Sequence, residues 1–160
     1  PGVSVLERRD EISVLVPGTP PSTPADLVAR LRDMVTPDGY VSIQAYLDPE
    51  GPYASALEEL RDALVAYLGV PVALGWGPRY LHSTGQLHKG GPALGTFVQL
   101  LDSPSAPLEI PGTQNDFNTL IAAQARGDRE VLGARGRPVL ALECDDPGEA
   151  ARRLVTALRA

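Results

Sequence analysis

Short apolar segments with strand character alternate along this chain with segments of helical periodicity, and turn residues stand between them. Few architectures accommodate that order. Strands joined by helix-length connections lie parallel, and their helices cover both sheet faces. The sequence therefore predicts a three-layer α/β/α domain with a mostly parallel sheet, spanning residues 1–160 as one unit.

The individual segments support this. After a lead-in over residues 1–9, Ile12 to Val16 is a short apolar strand candidate closed by Pro17-Gly18. A proline-rich loop runs to Pro24, where Thr23 can cap a helix, Pro24 suits its first position and Asp26 its first turn. Leu27, Val28, Leu31 and Val35 recur there at helical spacing. Tyr40 to Leu47 alternates as a strand, and Tyr53 to Leu68 reads as an amphipathic helix stopped by Gly69. Val70 to Leu74, Thr96 to Leu101 and Arg137 to Glu143 are further strand candidates, and Pro104 to Pro111 reads as a loop. Asp116 can cap a helix from Phe117 to Arg126. Gly127 is expected to interrupt it, with Asp128 capping a second turn to about Ala134. Asp146, Pro147 and Glu149 have capping-box spacing before a final helix with Ala150, Leu154, Val155 and Leu158 on its apolar face.

Composition excludes several classes. A 160-residue chain with 43% hydrophobic residues can bury an ordinary core. No apolar run reaches the ~18 residues of a membrane span, so no membrane partner is expected. A net charge of −6 repels phosphate backbones at long range and argues against nucleic acid. Cys144 is the single cysteine, which excludes an internal disulfide; at the end of an apolar run it reads as a half-buried strand residue. A reducing cytoplasm is the compartment expected. The chain begins at Pro1, without an initiator methionine, and reads as part of a longer product.

Residues 75–92 concentrate the chemistry. Both histidines and five glycines fall in Gly75-Trp76-Gly77-Pro78-Arg79-Tyr80-Leu81-His82-Ser83-Thr84-Gly85-Gln86-Leu87-His88-Lys89-Gly90-Gly91-Pro92. The segment follows a strand candidate, and parallel sheets bind ligands beyond the carboxyl ends of their strands. As one helix over 79–89, it would carry Arg79, His82, Gln86 and Lys89 on a common face. Arg79 and Lys89 would hold a phosphate, the first by a two-pronged hydrogen bond and the second as a point charge. Ser83, Thr84 and Gln86 would orient sugar hydroxyls, and His82 or His88 could move a proton near neutral pH. Trp76 and Tyr80 read as packing residues. The histidines stand six residues apart with no carboxylate at metal-motif spacing, so no metal is expected. No P-loop, dinucleotide fingerprint or nucleophile elbow is present, and no cofactor is expected.

The run GWGPRYLHSTGQLHKGGP followed by GTFVQLL resembles a segment of bacterial glucose-6-phosphate isomerases of the kind fused to transaldolase. The resemblance extends upstream through Gly39 to Leu47 and Leu57 to Arg61, and downstream through Ile110-Pro111-Gly112, Phe117 to Leu120 and Ala122 to Asp128. It covers Gly39 to near Leu140. It implies a sugar-isomerase-like (SIS-like) α/β fold and a parent enzyme that interconverts glucose 6-phosphate and fructose 6-phosphate. The implied mechanism is ring opening and an enediol proton transfer by a glutamate base, without metal. The Gly-Gly-Arg segment, the Phe-Asp-Gln-Pro motif with its downstream lysine, and a counterpart of the base glutamate are missing from the chain. It accordingly reads as the C-terminal part of the isomerase, inactive alone. Its segment 79–89 would bind phosphosugar or complete a site with other domains of the parent, and a homo-oligomer is compatible with it. The alternative is a non-catalytic structural or oligomerisation module of the same protein.

Overall fold

The computed structural model describes residues 12–15, 21–82, 84–103, 108–112 and 116–160; side-chain surroundings are described for those from 21 onward except 81 and 82. Five strands form one sheet: β1 (Ile12–Leu15), β2 (Tyr40–Tyr46), β3 (Val72–Trp76), β4 (Gly95–Asp102) and β5 (Val139–Cys144). Their spatial order is β1-β5-β4-β2-β3. The four strands from β2 onward are mutually parallel, and β1 lies antiparallel on the β5 edge. The helices are α1 (Pro24–Met34), α2 (Ala54–Leu68), α3 (Thr84–Gly90), α4 (Phe117–Ala134) and α5 (Pro147–Arg159), with a 3₁₀ turn at Arg79–His82 before α3. This is the expected three-layer, mostly parallel arrangement.

Strand alternation divides the sheet into two unlike faces. Val41, Ile43, Ala45, Val98, Leu100, Leu140 and Leu142 pack in one apolar core with Leu27 and Leu31 of α1, Leu57, Leu60 and Leu64 of α2, and Leu154 and Leu158 of α5. A fully buried leucine such as Leu100 contributes about 2 kcal/mol there. The opposite face presents Tyr46 and Leu101 to Tyr80 and Ala125, and Phe97 and Val139 to Leu132. It also buries Ser42, Gln44, Gln99 and His88. The layer containing the 3₁₀ turn, α3 and α4 is thus the polar one.

Helix ends follow the sequence signals. Thr23 accepts from Asp26 N, Asp116 from Thr119 N and Asp146 from Glu149 N. Gly69 ends α2 at φ 68°, in the left-handed region that favours glycine. The capping box at α5 is half formed: Glu149 turns its carboxylate to Arg152 and Arg153, 3.1 Å from each, instead of back to the helix start.

Several expectations differ. The last strand spans Val139–Cys144, not Arg137 to Glu143. The third strand runs over Val72–Trp76, not Val70 to Leu74, because Gly75 and Trp76 pair with Gln44 and Ala45 of β2. Helix α4 continues through Gly127 to Ala134, and Asp128 is a buried mid-helix residue, not a second cap. The single helix over 79–89 is replaced by the 3₁₀ turn and α3 as separate elements, so Arg79, His82, Gln86 and Lys89 do not share one helical face. The lead-in over 1–9, the first half of the loop from Pro17 to Pro24, Ser83 and the first part of the loop from Pro104 lie outside the described residues.

Candidate functional site

Segment 77–92 leaves the carboxyl end of β3 and crosses the polar face before β4 begins. Its entry is tight. Gly77 N donates to Ala45 O at 2.7 Å. A Cβ at Gly77 would stand 2.8 Å from Cδ1 of Tyr46, closer than real side chains pack, so the aromatic ring requires glycine. The 3₁₀ turn follows, then α3, and the segment presents two edges. Arg79, Thr84 and Gln86 are exposed, whereas Tyr80 and His88 are buried and Lys89 is half-buried.

The inward edge is held by α4. Lys89 Nζ lies 2.6 Å from Asp128 Oδ1. Tyr80 Oη donates to Asp128 Oδ2 at 2.6 Å. Tyr46 Oη lies 2.6 Å from Tyr80 Oη and 3.3 Å from Asp128 Oδ2, so its proton serves the tyrosine oxygen or the carboxylate. Burial, foremost, pushes the ionisation of Tyr46 and Tyr80 far above the ordinary tyrosine value, and both remain neutral donors.

His88 sits further along the same face. Its Nδ1 is 3.0 Å from Tyr40 Oη and its Nε2 is 3.4 Å from Ser42 Oγ. Phe97 packs edge-on against the imidazole, with ring centroids 5.1 Å apart. Burial holds its pKa below the ordinary histidine value; the Arg137 cation adds to this and Asp128 opposes it. An enclosed neutral imidazole with both nitrogens occupied packs the layer and has no open nitrogen for a ligand proton.

Buried Arg137 closes the segment's far end. Its guanidinium donates to Pro92 O at 2.8 Å, Gly91 O at 2.6 Å and Lys89 O at 3.1 Å, and Arg135 adds a bond to Lys89 O at 2.6 Å. Two cations thereby meet at Lys89 O, an orphan carbonyl at the negative end of α3, and Arg137 also holds the turn that follows. Beside this, Arg129 donates to Gln99 Oε1, and Gln99 donates to Gln44 Oε1 and Ala125 O, each at 3.2 Å.

The sequence-derived candidates therefore separate. Arg79, Thr84 and Gln86 are available to a ligand. Lys89 neutralises Asp128, and His88 is enclosed. His82 lies in the 3₁₀ turn, where its backbone alone is described, and Ser83 lies outside the described residues. The arrangement can grip an anion through the Arg79 fork and offer hydroxyl and amide groups to a polyol, with Asp128, Tyr80, Tyr46 and Arg137 as scaffold. Sequence reading takes Asp128 for a helix cap and not for part of the site, although Ala125, Asp128 and Leu132 recur at helical spacing and mark the buried face of α4.

The chain leaves β2 and β4 toward opposite faces of the sheet, so the crevice at their carboxyl ends is the topological switch point. It is acidic. Asp48 follows β2, Asp102 ends β4, and Asp145 and Asp146 follow β5. Burial raises the Asp102 carboxyl above the ordinary carboxylate range. The cationic group nearest an anion-binding role, Arg79, lies one strand away, beyond β3. A small cavity between α1, α2, α5 and the sheet is lined by leucine and valine alone and belongs to core packing. Among the described residues, no group of three or more histidine, cysteine or acidic side chains is placed to hold a metal. No helix among them is long and apolar enough to cross a membrane.

No family model matches this chain, and the comparison with curated proteins found no match. Among solved structures, its fold is similar to that of the hypothetical protein TT0462 from Thermus thermophilus, with a TM-score of 0.63 and 17% identity over 84% of the chain. The chain spans 37% of that protein's length. At this identity the likeness is one of fold.

Proposed function

We propose that this chain is the C-terminal α/β part of a glucose-6-phosphate isomerase of the kind fused to transaldolase, with a SIS-like fold, working in the cytoplasm. Its segment 79–89 contributes to the site for glucose 6-phosphate or fructose 6-phosphate, together with other domains of the parent. The observation that carries this reading is the placement of the resemblance-bearing run. Arg79, Thr84 and Gln86 are exposed along the crossover after β3, above a buried scaffold that fixes them. Arg79 grips the phosphate, and Thr84, Gln86 and the neighbouring Ser83 take sugar hydroxyls. His82, between Arg79 and Thr84, is the group suited to moving a hydroxyl proton. The glutamate that shuttles the proton between C1 and C2 belongs to the rest of the parent protein. The isolated chain is accordingly a binding element without isomerase activity.

A second reading has its own support. Phe117, Leu120 and Val131 of α4 and the adjacent Leu108 are exposed, which fits a structural or oligomerisation module that packs against other domains or a second copy.

Titration of the chain with fructose 6-phosphate and 6-phosphogluconate, followed through backbone amide shifts, separates the two. Saturable shifts confined to residues 77–92 support the first reading. An unchanged spectrum at millimolar ligand removes it and leaves the second.

A further inference from the structure

We infer that Asp128 is the positioning residue of the 79–89 segment: one carboxylate on α4 ties down both ends of the crossover and thereby sets where Arg79, Thr84 and Gln86 stand. The inference rests on the ligand role proposed above for those three side chains, but its structural half is independent of it.

The crossover cannot hold its own shape. The 3₁₀ turn has 4 residues and α3 has 7. Helical pieces this short are marginal in water, so tertiary contacts must place them. Apolar packing supplies little on α3, where Leu87 is 57% exposed. The inward contacts are polar, and two of them converge on Asp128 from opposite ends. Tyr80, in the 3₁₀ turn, reaches Oδ2, and Lys89, in the last turn of α3, reaches Oδ1, each at 2.6 Å. Tyr46 joins this carboxylate to the end of β2. Arg137 and Arg135 hold only the far end, through main-chain carbonyls at Lys89, Gly91 and Pro92. His88 bonds to β2, through Tyr40 and Ser42. Asp128 is the junction that both ends share.

Its two arms can be cut separately. Amide hydrogen exchange is measured for the unliganded chain and for Tyr80→Phe, Lys89→Met and Asp128→Asn, with the amides of β2 and β4 in the same molecule as internal reference. Tyr80→Phe should speed exchange around 79–82 by about ten-fold and spare 87–90, Lys89→Met should do the reverse, and Asp128→Asn, which keeps a carbonyl oxygen for Tyr80 but loses the charge that holds Lys89, should free 87–90 at least as much as Lys89→Met. A purely global destabilisation would raise segment and sheet together, and that result would overturn the inference. Should Asp128→Asn fail to fold, the opposite patterns of the two single-arm variants decide the matter. Binding of 6-phosphogluconate gives the functional half: Kd should rise about ten-fold in Asp128→Asn. A wild-type chain that ignores 6-phosphogluconate sinks the phosphosugar reading, while the exchange pattern still tests the staple. A wild-type chain that binds, with Asp128→Asn binding equally well, overturns the positioning role.

Discussion

Lys89 Nζ and Asp128 Oδ1 meet at 2.6 Å, with the carboxylate side chain 2% and the lysine 27% exposed. Burying one charge of a pair without the other is far more costly than burying both or neither. Asp128→Ala is expected to destabilise the fold by about 3–5 kcal/mol, because it removes the lysine's counter-ion and the acceptor of Tyr80 together. Lys89→Met should cost about 3 kcal/mol, since it leaves the buried carboxylate without its counter-ion and the tyrosine hydroxyls offset only part of that loss. The double variant Lys89→Met/Asp128→Ala should fall short of the summed single effects by about 1–2 kcal/mol. Urea unfolding of the four proteins measures this, and strict additivity would mean that the pair is not coupled.

Arg137 offers a test of shape against charge. Its planar fork spans three carbonyls, Lys89 in the last turn of α3 and Gly91 and Pro92 just after it. A lysine keeps the charge but is a single donor point. Arg137→Lys should therefore lose about 2 kcal/mol, close to the loss in Arg137→Met. Recovery of wild-type stability in the lysine variant would show that charge at the helix end suffices.

The pH dependence of stability has a defined sign at His88. Tyr40, Ser42, Phe97, Tyr80, Arg137 and Asp128 surround it, and burial depresses its folded-state pKa below the ordinary 6.5. Below that value the unfolded chain takes up the proton first, so stability falls with pH until the folded-state histidine also protonates. The slope from this one group is at most about 1.4 kcal/mol per pH unit. In His88→Gln the decline between neutrality and the folded-state pKa should flatten. An unchanged profile in the variant would assign the acid sensitivity to other groups.

Much of the fold was legible because its signals are local. Thr23 and Asp146 form the expected caps, Gly69 adopts its left-handed conformation, and the alternation of Val41, Ile43 and Ala45 fixes one face of β2. The third strand was displaced because the pairing of Gly75 with Gln44 is a property of the sheet, not of glycine's weak strand preference. The candidate site was legible as a composition and illegible as a geometry. Arg79 and Lys89 read alike as cations, but a carboxylate from a distant helix turns one inward and leaves the other in solvent. Tyr46, Tyr80 and Asp128 come from separate elements, and no periodicity in any of them announces their meeting.

Cys144 should behave as a core atom. It has no exposed surface, and burial first, with Asp145, Glu143, Asp146 and Asp102 adding to it, pushes the thiol up to about 12. The thiolate is the reactive form, so at pH 8 the folded chain should resist a disulfide reagent and react only as it opens. Adding urea should accelerate labelling in step with the unfolded fraction. Rapid stoichiometric labelling of the native chain would show that the end of β5 is open.

Gly127 gives the prediction with the clearest sign. It sits inside α4, which runs unbroken from Phe117 to Ala134, and a Cβ built there meets nothing within 4 Å. Its conformation is not in the region that glycine alone favours, so an alanine incurs no strain. Two physical effects then act in the same direction. Glycine leaves the unfolded chain more freedom to lose, and it is a poorer helix former than alanine. Gly127→Ala should raise stability by about 0.5–1 kcal/mol, seen as a higher urea midpoint with an unchanged slope. Gly77→Ala, by contrast, drives a methyl into the Tyr46 ring and should destabilise the entry to the crossover. If Gly127→Ala lowers stability instead, helix α4 is broken at that position in solution, and Asp128 would no longer be held on the face that reaches Tyr80 and Lys89.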